Sequence, residues 1–265
     1  MQRFAKQFVQ RFAERVRLLR LNVRVFDLTQ YFRFADQHRI QSGAYAENVF
    51  DRLRPQMETV QLTRKQIIYH VDDPLEKLYF VERGLISLIK TMQDGRTVEI
   101  GVIGIEGMAS PFVAFGQNTA VLEGVVQIPG IATRVGRELF LTEIAESKEG
   151  RTLIERFMRF TINELAQTAA CNRLHSMEER CCRWLLIAHD SARSDIFPLT
   201  HEFLAMMLGV QRAGVSITAS ILQRAGYIRY VRGRVTITDR SGLEHAACEC
   251  YRARRGQLDQ LSRPI

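Results

Sequence analysis

Polar and small side chains recur on one predicted helix face in the segment from residue 199 to residue 228, which reads LTHEFLAMMLGVQRAGVSITASILQRAGYI. Arginine can bond O6 and N7 of guanine together, and apolar side chains contact the thymine methyl group, so this face has the chemistry to read base edges in a DNA major groove. The alternative is an ordinary helical hairpin whose polar face is only solvated. The face consists of Gln211, Arg212, Ala213, Ser216, Ile217 and Ser220.

Two short helices around a glycine would position this face. Thr200 is a favourable N-cap for the first helix, and Glu202 suits the positive end of its dipole. Gly209 can adopt the left-handed conformation that a tight turn requires. A second helix is predicted to begin near Gln211 and to bury the side on which Val215, Ala219 and Leu222 recur. The segment therefore predicts a helix-turn-helix.

A β-hairpin is predicted directly after the second helix, around the sequence Arg232-Gly233-Arg234. Arg232 and Arg234 at such a tip would contact DNA phosphates, which add affinity without reading sequence. From residue 199 to residue 240 six arginines stand against two acidic residues, a net charge of +4. These features favour a winged helix that binds DNA over a solvated hairpin.

The region from about Met57 to Val135 reads as β structure. Its strand candidates are short, rich in Val, Ile, Leu or aromatic residues, and separated by glycines: QLTRKQIIYHV, KLYFVE, LISLIKTM, TVEIGVI and GVVQIPGIATRV. Asp94-Gly95 is the strongest hairpin signal among them. Strands at this spacing predict a small barrel or sandwich.

The region from Glu138 to about Asp190 reads as helix, with a stretch of 38 residues from Thr152 that contains neither glycine nor proline. A long helix that projects from a small barrel must bury its apolar stripe, and a second copy of the chain is the expected partner. An intramolecular lid is the alternative. The predicted seam is Ile154, Met158, Leu165 and Ala169, whereas Phe157, Phe160 and Ile162 are predicted to pack back on the barrel.

The chain resembles the Crp/Fnr family of bacterial transcription regulators from about Asn48 to Tyr251. The resemblance is strongest in CNRLHSMEERCCRWLLIAHD and in LTHEFLAMMLGVQRAGVSITASILQRAGYIRYVRGRVTITDRSGLEHAACECY. It implies an α+β fold: an N-terminal β-barrel of the double-stranded β-helix, cyclic-nucleotide-binding-like type, a long dimerisation helix and a C-terminal winged helix-turn-helix. The corresponding boundaries are 1–45 for a basic extension, 46–140 for the sensor barrel, 141–190 for the dimerisation helix and hinge, 191–251 for the DNA-binding domain and 252–265 for a tail.

The motifs of the family transfer unevenly. Its best-known member reads bases with an Arg-Glu pair and a second Arg four residues later; here Arg212 matches, but Ala213 and Ile217 occupy the other positions. The operator of that member is therefore not expected to be the operator of this chain. In the cyclic-nucleotide pocket, Glu106 lies one place late and the phosphate-binding run around Thr119 has no arginine, so Glu106 and Thr119 are weak ligand candidates. We expect weak or no binding of cAMP, because a buried phosphate would lack its main cation.

Cofactor chemistry is expected to be absent, with the effector unknown. An iron–sulfur cluster of the Fnr kind needs thiolates, mostly N-terminal, and no cysteine precedes Cys171. Cys181-Cys182 and the Cys248-x-Cys250 pair are interpreted as small packing residues, with a shared metal or redox partner for the latter as the alternative. A haem on His70 or His175 is the weaker option, and no metal site is predicted.

Composition limits the remaining classes. Nine basic residues against three acidic residues give the first forty positions +6 of the total charge of +8. This segment is predicted to form an amphipathic helix that packs on the body or contacts an acidic partner, a membrane or nucleic acid, with a poorly ordered extension as the third alternative. No apolar run of 18 residues occurs, so no membrane span is predicted. Enzyme motifs such as a phosphate-binding glycine loop with its lysine are missing. Five cysteines without a secretory context favour a cytoplasmic chain with reduced thiols.

The sequence therefore predicts a cytoplasmic, homodimeric, sequence-specific DNA-binding regulator. Its expected partners are double-stranded DNA with an imperfect palindrome, a second copy of the chain and, as an option the family implies, RNA polymerase. Effector control would pass through the long helix, with Ser176-Met177 near the hinge. The alternative is an effector-independent DNA-binding protein whose barrel is a dimerisation or protein-docking scaffold.

Overall fold

The structure, a computed structural model, describes residues 52–261. The basic extension predicted for residues 1–45 lies outside the described residues. The elements, numbered in chain order, are β1 (Glu58–Leu62), β2 (Ile67–Tyr69), β3 (Lys77–Thr91), β4 (Thr97–Ile103), β5 (Met108–Ala109), β6 (Glu123–Gly136), α1 (Arg137–Glu146), α2 (Lys148–Leu174), α3 (Met177–Ala192), β7 (Ile196–Pro198), α4 (His201–Leu208), α5 (Arg212–Arg224), β8 (Ile228–Val231), β9 (Arg234–Ile237), α6 (Arg240–Ala246) and α7 (Glu249–Leu261). Short 3₁₀ turns cover Arg54–Gln56 and Pro111–Phe115.

The N-terminal half is a six-stranded antiparallel sheet, and the chain is α+β as predicted. The strand order is β1-β6-β3-β4, with β2 paired to β6 and β5 paired to β3. Because β1 and β4 do not pair with each other, the sheet stays open, and the expected closed barrel is wrong in this respect. Helices α2 and α4 pack against β4 at the open edge, which protects an edge that would otherwise be available for pairing with another chain.

The central strand β3 is longer than predicted, because the two short candidates KLYFVE and LISLIKTM continue across Gly84, whereas β6 matches its single candidate GVVQIPGIATRV. Gly84 lies inside β3 with φ of +105°, and the pairing of β3 with β6 shifts register on both sides of it. A Cβ atom on Gly130 of β6 would lie 1.8 Å from the carbonyl oxygen of Arg83. These glycines let two backbones cross closely inside a continuous sheet instead of ending the strands.

The predicted Asp94-Gly95 hairpin joins β3 to β4, and the prediction is confirmed. The Met92 N–H donates to the Arg96 carbonyl over 2.8 Å, and the Gly95 N–H donates to the Met92 carbonyl over 3.0 Å. Gly95 alone of the two turn residues has a positive φ, 81°.

The predicted long helical region is divided into three helices. The first break lies at Ser147, whose hydroxyl accepts from the Gly150 N–H as the N-cap of α2. The second lies at His175 and Ser176, where Ser176 and Glu179 form a reciprocal capping box at the start of α3. Phe157 and Phe160 are buried as predicted, but Ile162 is 52% exposed, so its predicted packing on the sheet is wrong.

The C-terminal half packs against the N-terminal half through a shared apolar cluster. Strands β7, β9 and β8 form a small antiparallel sheet in that order, and α4 and α5 lie beside it. The central helix α3, buried along most of its length, shares one apolar cluster with both halves. Helix α7 then returns to pack against α2 and α3.

Candidate nucleic-acid interface and regulatory sites

The α4–α5 unit has the geometry of a helix-turn-helix. The Phe203 N–H donates to the Thr200 hydroxyl over 3.3 Å, so Thr200 caps α4 as predicted. Gly209 ends α4 with φ of 62°, also as predicted. The two helices meet at 107°, within the range of about 90–120° that is usual for this motif.

Helix α5 has one buried side and one exposed side. Val215, Ala219 and Leu222 are buried, as their spacing predicted. The predicted reading residues lie on the other side: Gln211, Arg212, Ala213, Ile217 and Ser220 are exposed, and Ser216 is half-buried. Ile217 is 61% exposed, an unusual position for a large apolar side chain in solvent.

The arginine of this face is held by a surface ion pair. Arg212 lies 3.3 Å from the Glu202 carboxylate, and the two side chains are 67% and 75% exposed. Such a pair contributes about 0–1 kcal/mol in water. The guanidinium can therefore exchange Glu202 for a stronger bidentate partner at little cost.

Ser216 makes hydrogen bonds inside the α4–α5 unit. Its hydroxyl donates to the Arg212 carbonyl over 3.2 Å and lies 2.9 Å from His201 Nδ1. The His201 ring stacks on Tyr230 with centroids 4.5 Å apart, and burial together with Arg212 lowers the pKa of His201. A neutral His201 thus links α4, α5 and β8, a role that the sequence analysis missed.

The predicted wing is present. Strands β8 and β9 pair antiparallel, with Val231 opposite Arg234. Arg232 and Gly233 form the tip with φ of 47° and 74°, and the side chains of Arg232 and Arg234 are exposed. The Leu199 N–H donates to the Gly233 carbonyl over 2.9 Å, which ties the tip to the start of the helix-turn-helix.

The two ligand candidates of the sensor lie in positions that leave little room for a nucleotide. Glu106 is 2% exposed and accepts from the Gly104 N–H over 2.9 Å and from Arg254 over 2.7 Å. Arg254 also bonds Glu164, so Glu106 belongs to a buried ionic group that joins the sheet, α2 and α7. Thr119 borders a cavity of about 10 Å³, whereas small-molecule sites usually measure about 300–1,000 Å³.

A second buried carboxyl group was not found by the sequence analysis. Glu99 of β4 borders a cavity of about 60 Å³ between the sheet and α2, α3 and α4. The Trp184 indole N–H donates to it over 3.0 Å, and Ser87 also hydrogen-bonds it. Burial raises the pKa of Glu99 to about 8, so at neutral pH this group is mostly protonated.

Four side chains that the sequence analysis did not group together meet at the end of α2. The ligand atoms of Cys171, His175, Cys248 and Cys250, here called the thiol cluster, all lie within 4.8 Å of one another. All three cysteines are buried free thiols. The i, i+4 spacing of Cys171 and His175 and the short Cys248-x-Cys250 spacing were the available signals, but the whole DNA-binding unit separates them in sequence.

The predicted dimer seam is divided between two faces of α2. Met158 is 3% exposed and belongs to the chain's own core. Leu165 faces the sheet, where it borders the Glu99 cavity, and Ile154 is half-buried. Ala169 is exposed, next to an exposed row formed by Ile162, Ala166 and Arg173. For Met158 and Leu165 the expected outward orientation is therefore wrong.

Both halves of the chain match known protein families. Residues 59–147 match the model of the cyclic nucleotide-binding domain, and residues 179–246 match the model of the Crp-like helix-turn-helix domain. The transcriptional regulators SdrP and LdrP of Thermus thermophilus are 25% and 27% identical to the chain. The SdrP alignment covers 72% of this chain and 94% of that protein, and the LdrP alignment covers 71% and 95%.

Solved structures show the same fold. FixK2 from Bradyrhizobium japonicum superposes with a TM-score of 0.60 at 16% identity, covering 72% of this chain and 98% of that one. The c-di-GMP-responsive global regulator CLP of Xanthomonas campestris gives 0.57 at 16% identity, covering 71% and 97%. In residues 52–261 no single helix is long and apolar enough to cross a membrane; only α4 and α5 taken together, as a bent pair, reach that length and composition.

Proposed function

The chain belongs to the Crp/Fnr family and is a DNA-binding transcriptional regulator, and from that premise we propose that it binds an imperfect palindrome as a cytoplasmic homodimer. The observation that carries the proposal is the exposed face of α5, where Arg212 and Ile217 project beside a wing with two exposed arginines. Arg212 reads a guanine, and the apolar Ala213 and Ile217 contact thymine methyl groups. Gln211 and Ser220 supply further polar contacts, Thr200 at the N-terminus of α4 contacts the DNA backbone, and Ser216 holds α5 against α4.

A second copy of the chain packs along α2 in this proposal. Support comes from the row of Ile162, Ala166 and Ala169, which recurs at i, i+4, i+7 and is exposed along the helix. A strip of small and apolar side chains at this spacing suits close contact with an antiparallel or parallel copy of the same helix. Two reading helices related by a two-fold axis would then enter major grooves about 34–36 Å apart.

We also propose that the regulator does not respond to cAMP and holds no iron–sulfur cluster of the Fnr type. The buried pair of Glu106 with Arg254 supports the first part, because breaking it to bind a ribose would leave a charge unpaired in the interior. The lack of any cysteine before Cys171 and the compactness of the thiol cluster support the second part.

Selection of bound sequences from random duplex DNA, at a stated salt concentration, tests the proposed reading function. The purified chain should yield a two-fold-symmetric motif, and Arg212→Ala should relax it at one base pair in each half-site, a loss of about 1–3 kcal/mol per pair. Arg96→Ala removes an arginine that is exposed on the β3–β4 hairpin, away from α5, and serves as the matched control. Equal binding of all sequences by all three proteins would reject the proposal.

An effector-independent DNA-binding protein, with the sensor sheet as a dimerisation or docking scaffold, is the second candidate. The cavity of about 10 Å³ beside Thr119 favours it. A titration of the complex of chain and operator with cAMP, c-di-GMP and metal ions distinguishes the two proposed functions. A ligand that changes DNA affinity excludes the second candidate, since it must bind one arrangement of the chain more tightly than the other.

A further inference from the structure

The thiol cluster has the donor set and the dimensions of a metal site. The Cys171 and Cys248 sulfur atoms are 3.6 Å apart, and His175 Nδ1 lies 3.6 Å from the Cys250 sulfur atom. A Zn–S bond of about 2.3 Å in a tetrahedron places neighbouring sulfur atoms about 3.8 Å apart. A disulfide would need about 2.05 Å. These two separations therefore match edges of a tetrahedron around one ion.

We propose that Cys171, His175, Cys248 and Cys250 bind a single divalent, thiolate-preferring metal ion of the Zn²⁺ class. Three thiolates and one imidazole are a common closed set for structural zinc. Because all four ligand atoms lie within 4.8 Å, the space between them suits one ion, whereas an iron–sulfur cluster spreads its thiolates around several metal atoms. Thiols that are still protonated release their protons to solvent as the ion binds.

The surroundings of the thiol cluster orient its ligands in the manner of a metal site. His175 directs Nδ1 toward the cluster, while its Nε2 lies 3.0 Å from the carboxylate of Glu249. A carboxylate on the outer nitrogen of a ligating histidine fixes the ring and increases its basicity. The Gln167 side-chain N–H donates to the Cys250 sulfur over 2.9 Å.

Positive charge lies near the thiol cluster. Arg183 interacts electrostatically with Cys171, and Arg180 with both Cys171 and Cys248. The Nε atoms of Arg180 and Arg183 are buried, and no described group hydrogen-bonds them. Three thiolates and a divalent ion carry a net charge of −1, which these two guanidinium groups can balance.

The thiol cluster joins the end of α2 to the start of α7, two parts of the chain that are also linked by packing and by the ion pair of Arg254 with Glu164. Cys171 lies in the last turn of α2, and His175 is the C-cap of that helix, directly before the Ser176 cap of α3. Cys248 directly precedes α7, and Cys250 lies in its first turn. An ion at this point fixes α7 and the DNA-binding unit that precedes it to the end of the long helix. That the ion thereby controls DNA affinity rests on the proposed function; that it binds does not.

Metal content and titration of the full-length chain test the site. The chain, purified without chelator, should contain about one zinc per chain, and the chelator-treated chain should bind one Co²⁺ with the visible absorption of a tetrahedral thiolate complex. Cys250→Ser and His175→Gln should weaken binding at least 100-fold. Glu249→Gln changes an exposed side chain that contacts the outer nitrogen of His175, and it should weaken binding about 10–100-fold.

Cys182→Ala is the matched control, because it removes a buried cysteine outside the thiol cluster and should keep one ion per chain. Absence of metal in variants and wild type that are all folded by circular dichroism would overturn the proposal. So would equal affinity of wild type, Cys250→Ser and His175→Gln, or a Cys171–Cys248 disulfide in the freshly purified chain. Operator binding by a chain that takes up no metal rejects this site alone, and metal binding by a chain that binds no operator rejects the proposed function alone.

Discussion

Glu99 is a carboxyl group that folding moves out of water. Its side chain lies between Ser87 and Trp184 beside a cavity of about 60 Å³, and burial raises its pKa from 4.5 to about 8. Hydrogen bonds from both neighbours favour the ionised form but do not offset the loss of hydration. The group therefore keeps a proton in the folded chain at a pH where the unfolded chain has released it.

The free energy of unfolding should consequently fall as pH rises from about 4.5 to about 8, because in this window the native state binds more protons than the unfolded state. Glu99→Gln keeps the shape without an ionisable proton and should remove this part of the pH dependence. Urea denaturation at pH 5, 7 and 9 measures it. Glu155→Gln, the same change on the exposed side of α2, is the control. The same dependence of the free energy of unfolding on pH in wild type and Glu99→Gln would contradict the prediction.

At the scale of single residues, local chemistry was predictable and the choice between two apolar faces was not. The Thr200 cap, the Gly209 turn and the buried side of α5 depend on neighbours within one or two helical turns, and the structure has them as predicted. On α2, apolar residues recur on more than one face. Which face meets the sheet depends on where β4 lies, so Leu165 and Ile162 were assigned the wrong way round.

At the scale of elements, the crossing of β3 and β6 depends on Gly130. Gly130→Ala would place a Cβ atom 1.8 Å from the Arg83 carbonyl oxygen, and two backbones would have to separate. We expect a loss on the order of 3–5 kcal/mol in the free energy of unfolding, measured by denaturant titration. Gly136→Ala, at the other end of the same strand, has no atom within 4 Å of the new methyl group and should lose much less.

The same crossing explains why the length of β3 was not predictable. Gly84 was interpreted as a break between two strands, because glycine usually interrupts a sheet. Only the partner strand shows that each glycine is needed opposite the other, with a Cβ on Gly84 2.6 Å from the Ile128 carbonyl oxygen. The presence of a strand and the Asp94-Gly95 turn depend on neighbouring residues in the sequence. Whether a strand continues across a glycine, and whether the sheet closes, depends on which strands pair.

The wing should contribute affinity without sequence preference. Arg232→Asn combined with Arg234→Gln removes two cations, and Asn tolerates the positive φ of 47° at the tip, so the hairpin is preserved. The slope of log affinity against log salt should fall by about 1 for each phosphate that is no longer neutralised, about 4 for a dimer with two wings. Filter binding or fluorescence anisotropy from 50 to 300 mM salt, roughly the range over which such slopes are measured, tests this. A narrower sequence motif with an unchanged slope would contradict it.

At the scale of the whole molecule, long-range ionic and thiol contacts connect modules that are far apart in sequence. Arg254 of α7 joins Glu106, in the turn between β4 and β5, to Glu164 of α2, and the thiol cluster joins α7 to the end of α2. The order of the modules was predictable from patterning and from the family resemblance. The return of α7 was not, because the carboxylates that Arg254 bonds lie far earlier in the sequence, as do Cys171 and His175 of the thiol cluster. The predicted tail from residue 252 contains most of this packed helix.

Dimerisation through α2 predicts that one exposed side chain controls both assembly and affinity. Ile162→Glu places a charge on the exposed row beside Ala166 and Ala169, where two copies would bring like charges together without water. The variant should sediment as a monomer, keep its fold, and bind the full palindrome on the order of 100-fold more weakly while binding a single half-site as wild type does. Ile67→Glu, on β2 and 44% exposed, changes a comparable side chain away from α2 and should stay dimeric. If the Ile162→Glu chain stays dimeric with full affinity, the dimer interface lies on another face. If affinity falls equally for the full palindrome and the half-site, Ile162 contributes to the stability of the fold and not to the interface.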